Sequence, residues 1–228
     1  MSGSGGLFAA WHVSVGPLVL TDVVIVTWVI MSVIAALSWL VTRRLRAEPG
    51  RWQTVLEGAY EAMFGAVAEV VPKRAPMIFP FIASLWIFVL VANLAGIIPG
   101  VRAPTSSLST TAGLALLVFL SVHWYGIRVQ GLRRYLAHYL DPNPLLLPFT
   151  VLAEITRTLA MAIRLFGNMM SLGLTAALIL MVAGFLAPIP ILMLHIVEAL
   201  VQAYIFGMLA LIYIAGGLEV QELQTQKE

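Results

Sequence analysis

Apolar residues run along this chain in long blocks separated by short polar punctuation, and several blocks reach the roughly 18 residues that cross a bilayer. The first covers 17–41 and closes at Trp39 and Val41 before "TRRLRAEPGR". A second covers 77–98 and ends in "PGVRAPTSSLSTT". A third, 108–126, leads into the basic loop 127–143. The stretch between the first two reads differently. In 51–71, Trp52, Val55, Leu56, Ala59, Tyr60, Met63, Phe64, Val67, Val70 and Val71 recur at helical spacing, with Glu57, Glu61 and Glu69 on the opposite side. The charged stripe forbids spanning, so the pattern predicts an amphipathic helix lying in the membrane interface.

The last two blocks are too long. Residues 145–186 hold only Pro148 as a breaker, and as one helix they would measure ~63 Å at about 1.5 Å per residue. Against a hydrocarbon core about 30 Å thick, such a helix either breaks, near Gly167 or Gly173, or tilts by roughly 60°, far beyond the usual ~20°. "APIP" at 187–190 turns the chain, and 191–217 returns over ~40 Å. The pattern thus predicts an all-α integral membrane protein, one domain over 1–228. It has five transmembrane helices plus one interfacial amphipathic helix, the last two transmembrane helices forming a long, steeply tilted hairpin. An outer N-terminal segment (1–16) and a cytoplasmic tail (218–228) flank them.

Composition agrees: 61 % of residues are hydrophobic, 11 % are charged, and the mean hydropathy is +0.96, outside the range of soluble domains. The net charge of +2 is small and scattered, which argues against a nucleic-acid partner. There is no cysteine, so disulfide and thiol chemistry are excluded. The N-terminus has no basic stretch ahead of the first apolar run and no A-x-A site after it, so that run reads as a retained span. Arg43, Arg44, Arg46, Arg51, Lys73, Arg74, Arg128, Arg133, Arg134 and Lys227 all fall on one side of the five-span arrangement, with Arg102 alone opposite. The positive-inside rule makes the basic side cytoplasmic, leaving the N-terminus outside and the C-terminus inside, in a cell inner (plasma) membrane.

Charge then singles out the long hairpin. An arginine at the centre of a spanning helix costs about 2.5–3.5 kcal/mol or more, and Arg164 sits too deep to snorkel. Glu154, Arg157, Met161, Arg164, Asn168 and Ser171 recur at offsets of three or four and share one helical face. His195, Glu198, Gln202 and Tyr213 form a stripe on the last helix. In an antiparallel hairpin, Asn168, Ser171, His195 and Glu198 lie toward the outside and Glu154 and Arg157 toward the cytoplasm, with Arg164 between. Groups that hold water and pass protons are then interrupted by a guanidinium that does not deprotonate. Such a chain conducts only with a mobile carboxylate on another molecule, whose proton the arginine drives off.

Plainer readings stand beside these. Arg164 pairs internally with Glu198 or Glu154; Arg157 snorkels to the inner interface; Glu154 partners Arg157; Gln202 orients Arg164 by hydrogen bonding. Asn93 caps or bridges near the outer end of its span, and the hydroxyls of Ser106, Ser107, Ser109, Thr110 and Thr111 either line an outer mouth or cap a helix.

"EITRTLAMA" followed by "IRLFGNMMS", then "HIVEALVQAYIFGMLALIY", closely resembles the a-subunit family of rotary F-type ATP synthases, and "FVLVANLAGIIPGVRAPTSSLSTT" resembles that family's second span and outer loop. The likeness covers about 50–217. It implies an ion-translocating stator subunit, with Arg164 facing the carboxylate of a c-subunit ring, Gln202 packed beside it, and His195 and Asn168 on the outer path. It also implies peripheral-stalk b subunits and a catalytic ATPase head as partners within the bilayer-embedded complex, and two long tilted helices curving around the ring. The sequence departs from the family where an acid often follows the R-L-F-G-N-M element (here Gly173), where a proline often follows the upstream arginine (here Thr158), and where an outer-loop aspartate is common (here Ser107). Glu198 stands where it can replace the missing acid in space.

The ion is expected to be H⁺, because His195 and Glu198 suit proton relay. Na⁺ is the alternative, since the ring would hold the ion's ligands. No G-x-x-x-x-G-K-[ST] element is present, and no cofactor or metal site is indicated, so ATP chemistry belongs to partner subunits. A self-contained secondary transporter would call for a complete site and often repeated halves, and an intramembrane hydrolase for a nucleophile with its base or metal ligands. Neither pattern is visible.

Overall fold

The structure is a computed structural model that describes residues 12–15, 18–43, 50–98, 101–132, 135, 147–183 and 188–225. Six long helices make up its frame: α1 (Asp22–Thr42), α2 (Arg51–Val70), α3 (Ala75–Leu94), α4 (Leu108–Gln130), α5 (Leu147–Ala183) and α6 (Pro188–Thr225). Five of them, all but α2, are long and apolar enough to cross a membrane. The architecture is the all-α membrane class that the apolar blocks imply.

The first block does not begin as a helix. Leu18–Thr21 (β2) pairs antiparallel with His12–Val15 (β1), in register from His12 opposite Thr21 to Val15 opposite Leu18. Gly16 and Pro17 separate the strands in sequence, a strong turn signal, and α1 starts only at Asp22, whose Oδ1 accepts from the Val23 N–H at 2.9 Å. Its acidic first turn also suits the positive end of the helix dipole.

α2 is amphipathic along its length, but its two ends differ. Val67 is buried, and Phe64 and Tyr60 meet Phe79 of α3 edge-on at 5.3 and 4.9 Å. Trp52, Val55 and Leu56 remain exposed on the other half. α3 carries Pro80 in its interior, and Ser84 Oγ donates to the Pro80 carbonyl at 2.7 Å. A 3-10 turn (Ala95–Ile97) extends it, and a second (Pro104–Ser106) precedes α4. α4 runs four residues past the expected end of its span and stops at Gly131, whose φ of 81° favours glycine.

α5 and α6 are continuous over 37 and 38 residues, so each is ~55 Å long. Neither Gly167 nor Gly173 breaks α5. Pro188 and Pro190 do not form a turn: they occupy the first turn of α6, where the missing proline N–H lacks a partner in any case. The expected tail from 218 is helical as far as Thr225, in keeping with the helix formers of "GLEVQELQT".

The core is a single cluster in which α3 lies against α6, α4 against α5, and α5 against α6. Met161, Leu165 and Met169 point inward from α5, and Ala199, Ala203, Phe206, Ala210 and Ile214 from α6. Small residues on α6 admit close approach. At Gly207 the Trp86 indole lies directly against the backbone, leaving no room for a Cβ, and Trp86 Nε1–H donates to the Tyr204 carbonyl at 3.2 Å.

Candidate functional site

The long hairpin is locked in one register by two polar contacts. Asn168 Nδ2 donates to Gln202 Oε1 at 2.7 Å, and the Arg157 guanidinium lies over the Tyr213 ring, 4.6 Å from its centroid. Asn168 is eleven residues beyond Arg157 on α5, and Gln202 eleven before Tyr213 on α6. The two contacts therefore agree on a single antiparallel alignment over about 16 Å of axis. Arg164 stands between them, near the middle of α5.

Arg164 is exposed and makes no hydrogen bond or ion pair with any described residue. It belongs to an outward stripe with Leu159, Ile163, Met170, Ser171, Leu174 and Leu178, all of them exposed; α6 adds Val197, Val201, Tyr204 and Ile212. The internal pairing with Glu198 or Glu154 is thus absent from the structure. Gln202, 2 % exposed, bonds Asn168 and not Arg164. Its Nε2 has no hydrogen-bond partner among the described residues.

On the side of Arg164 toward the α5 C-terminus, Asn93 ties α3 to α6. Its Nδ2 donates to the Ala199 carbonyl at 3.4 Å, and its own carbonyl lies 3.2 Å from His195 Nε2. A carbonyl only accepts, so Nε2 carries the proton and His195 Nδ1 keeps a lone pair. His195 and Asn93 are buried, and Glu198 is half-buried with no bond to His195 or any other described residue. Asn93 Oδ1 and Thr105 Oγ1 are buried here without partners among the described residues. Buried polar atoms are nearly always satisfied, so the orphaned Asn93 Oδ1 beside His195 marks a place suited to water. Ser107 precedes α4 as its N-cap residue and bonds Ser109 through its hydroxyl without capping a backbone N–H, while Thr111 Oγ1 donates to the Ser107 and Leu108 carbonyls.

On the opposite side, Glu154 meets a partner that the sequence did not disclose. Its Oε2 lies 3.6 Å from Nε2 of His123 on α4. His123 sits 31 residues earlier and shares no helical face with Glu154, so offsets within a helix gave no sign of the contact. Arg157 is exposed and held by Tyr213. Of the residues singled out from sequence, the structure brings together Asn168 with Gln202, Asn93 with His195, and Arg157 with Tyr213. Ser171 and Glu198 stand apart.

The family model of the "ATP synthase A chain" matches residues 24–215. The chain is 61 % identical over 207 residues to ATP synthase subunit a 2 of Pelobacter propionicus, covering 91 % of each chain. It is 54 % identical over 227 residues to ATP synthase subunit a of Legionella pneumophila, covering 99 % of each, and 39 % identical over 208 residues to ATP synthase subunit a 1 of Crocosphaera subtropica, covering 90 % of each.

Proposed function

The chain belongs to the ATP synthase A chain family, and on that premise we propose that it moves protons along two offset half-paths divided by Arg164. The outer half-path uses Asn93, Asn168, Ser171, His195, Glu198 and Gln202. The inner one uses Glu154, beside Arg157 and Tyr213. The N-terminus lies outside and the C-terminus in the cytoplasm of the cell's inner membrane.

The observation that carries this reading is the exposure of Arg164 at mid-helix, the one charge on an outward stripe that is apolar apart from Ser171 and the Tyr204 hydroxyl. Left against lipid, it is penalised by about 2.5–3.5 kcal/mol. A partner carboxylate at about 4 Å returns about 4 kcal/mol at an effective dielectric of 20, enough to offset that penalty. The outward stripe is therefore the surface that receives the c-subunit ring, with its carboxylate opposite Arg164. The guanidinium keeps that carboxylate ionised as it passes, so a proton leaves the rotor on one side and another is taken up on the other. Peripheral-stalk b subunits hold this chain still while the ring turns, and the catalytic head carries out the ATP chemistry.

Arg164→Ala tests this in the holoenzyme reconstituted into liposomes. The variant is expected to assemble and to lose both ATP-driven pumping and gradient-driven ATP synthesis. Coupled synthesis at the wild-type rate would refute the central role of the arginine. Varying Na⁺ at fixed pH decides the ion. Acidification that is indifferent to Na⁺ and abolished by a protonophore supports H⁺; Na⁺ uptake stimulated by the protonophore overturns it.

A further inference from the structure

On the Glu154 side of Arg164, helices α4, α5 and α6 leave a half-open cleft whose polar wall is His123, Glu154, Arg157, Thr158 and Tyr213. Polar groups at this depth are expensive unless they serve a purpose, and His123 has no place in the function drawn so far. Its ring lies tilted against Phe119, centroids 4.4 Å apart, and meets Tyr135 edge-on at 5.9 Å. Nδ1 lies 2.9 Å from the Phe119 carbonyl. Because that carbonyl can only accept, Nδ1 carries the proton, and Nε2, which keeps its lone pair, lies 3.6 Å from Glu154 Oε2.

We propose that His123 is a proton-carrying residue of the inner half-path, exchanging protons between Glu154 and the water of the cleft. The proposal rests on the proton reading above. A proton arriving on the Glu154 carboxylate passes to His123: the O–H bond breaks, the Nε2–H bond forms, and a carboxylate–imidazolium pair results. Nε2 then releases the proton to a water molecule, and the starting tautomer returns with Nδ1 still bonded to Phe119. In ATP-driven pumping the same steps run backward. The 3.6 Å separation is beyond a direct hydrogen bond and closes by a small carboxylate rotation or through one water, both within the range of general acid–base groups. The side chains of His123 and Glu154 are 28 % and 26 % exposed, so neither is sealed within the core. Among the described residues, the titratable and charged groups around the ring are Tyr135, Glu154 and Arg157, with Tyr213 across the cleft from α6. The backbone bond fixes the imidazole's tautomer, and the open cleft lets the proton out.

The test uses the reconstituted holoenzyme. His123→Gln keeps a donor and an acceptor but cannot carry a proton, and it is expected to assemble while its ATP-driven pumping falls about tenfold or more. His123→Ala should fall equally and recover when imidazole is added, since the cleft is open to a small molecule. Arg164→Ala is run alongside. If Arg164→Ala is inactive while His123→Gln pumps as the wild type does across neutral pH, only the role of His123 is overturned. If Arg164→Ala pumps normally, the function itself is overturned. Full activity in His123→Gln with loss in His123→Ala, unrelieved by imidazole, would make His123 a structural prop and also sink the proposal.

Discussion

The Asn168–Gln202 bond crosses the hairpin one turn from Arg164, and its two ends differ in burial. That difference predicts an asymmetric double-mutant cycle. Gln202 is 2 % exposed and Asn168 is half-buried. Asn168→Leu deletes a bond worth about 0.6 kcal/mol on average within membranes and also strands the Gln202 amide, a further penalty of about 1–3 kcal/mol. Gln202→Leu loses the same bond but also removes Nε2, already without a partner among the described residues, and leaves only a half-exposed asparagine behind. It should therefore stay within about 1 kcal/mol of wild type. Once Gln202 is gone, Asn168→Leu has nothing left to strand, so the double variant should match Gln202→Leu, and the coupling equals the whole Asn168→Leu loss, about 1.6–3.6 kcal/mol. Reversible unfolding of the purified chain in mixed micelles reads this out, at about 2–4 °C of midpoint per kcal/mol for a chain of this size. Equal losses in the two single variants, or strictly additive ones, would refute the reasoning.

Two further outcomes are expected. Glu198→Gln should slow passive proton flux from the outside through the membrane sector about tenfold or more, and more than Arg157→Gln does; equal effects would remove Glu198 from the outer path. Gly207→Ala forces a Cβ into the Trp86 ring and should destabilise by about 1–3 kcal/mol, with Trp86→Leu in the same chain restoring the midpoint; a stable single variant would show that α3 and α6 are not held at that distance.

What was legible in the sequence follows from what the bilayer dictates. Hydrocarbon thickness sets the length of apolar runs, so the five spans and the excess length of α5 and α6 were readable. Where the physics is ambiguous, reading failed. "LVLT" is apolar in either a strand or a helix, and only pairing with "HVSV" decides it. Offsets of three and four reveal which residues share a face of one helix and nothing about what stands opposite. Asn168 and Gln202 were therefore both identified, yet Gln202 was given to Arg164. Glu154 was assigned no partner on α4. The Asn93 contacts run through the carbonyls of Ala199 and of Asn93 itself, and a backbone acceptor leaves no mark in a sequence.

His195 and His123 are tied in opposite senses. His195 commits Nε2 to the Asn93 carbonyl and His123 commits Nδ1 to the Phe119 carbonyl, so a different ring nitrogen is anchored to the backbone in each. Arg164 lies ten residues beyond Glu154 on α5. In the register set by Asn168–Gln202, His195 falls opposite residue 175, eleven beyond Arg164. Glu154 and His195 are thus about 15 Å along the axis from the arginine, and Glu198, opposite residue 172, about 12 Å, several times the reach of a single proton transfer. A guanidinium that does not deprotonate occupies the gap. On the proposed function, that spacing obliges a proton to leave this chain for the rotor and return to it elsewhere, which couples flux to rotation. Shortening the gap by bringing a titratable side chain onto the outward stripe near Arg164 would open a leak, and with it the coupling would be lost.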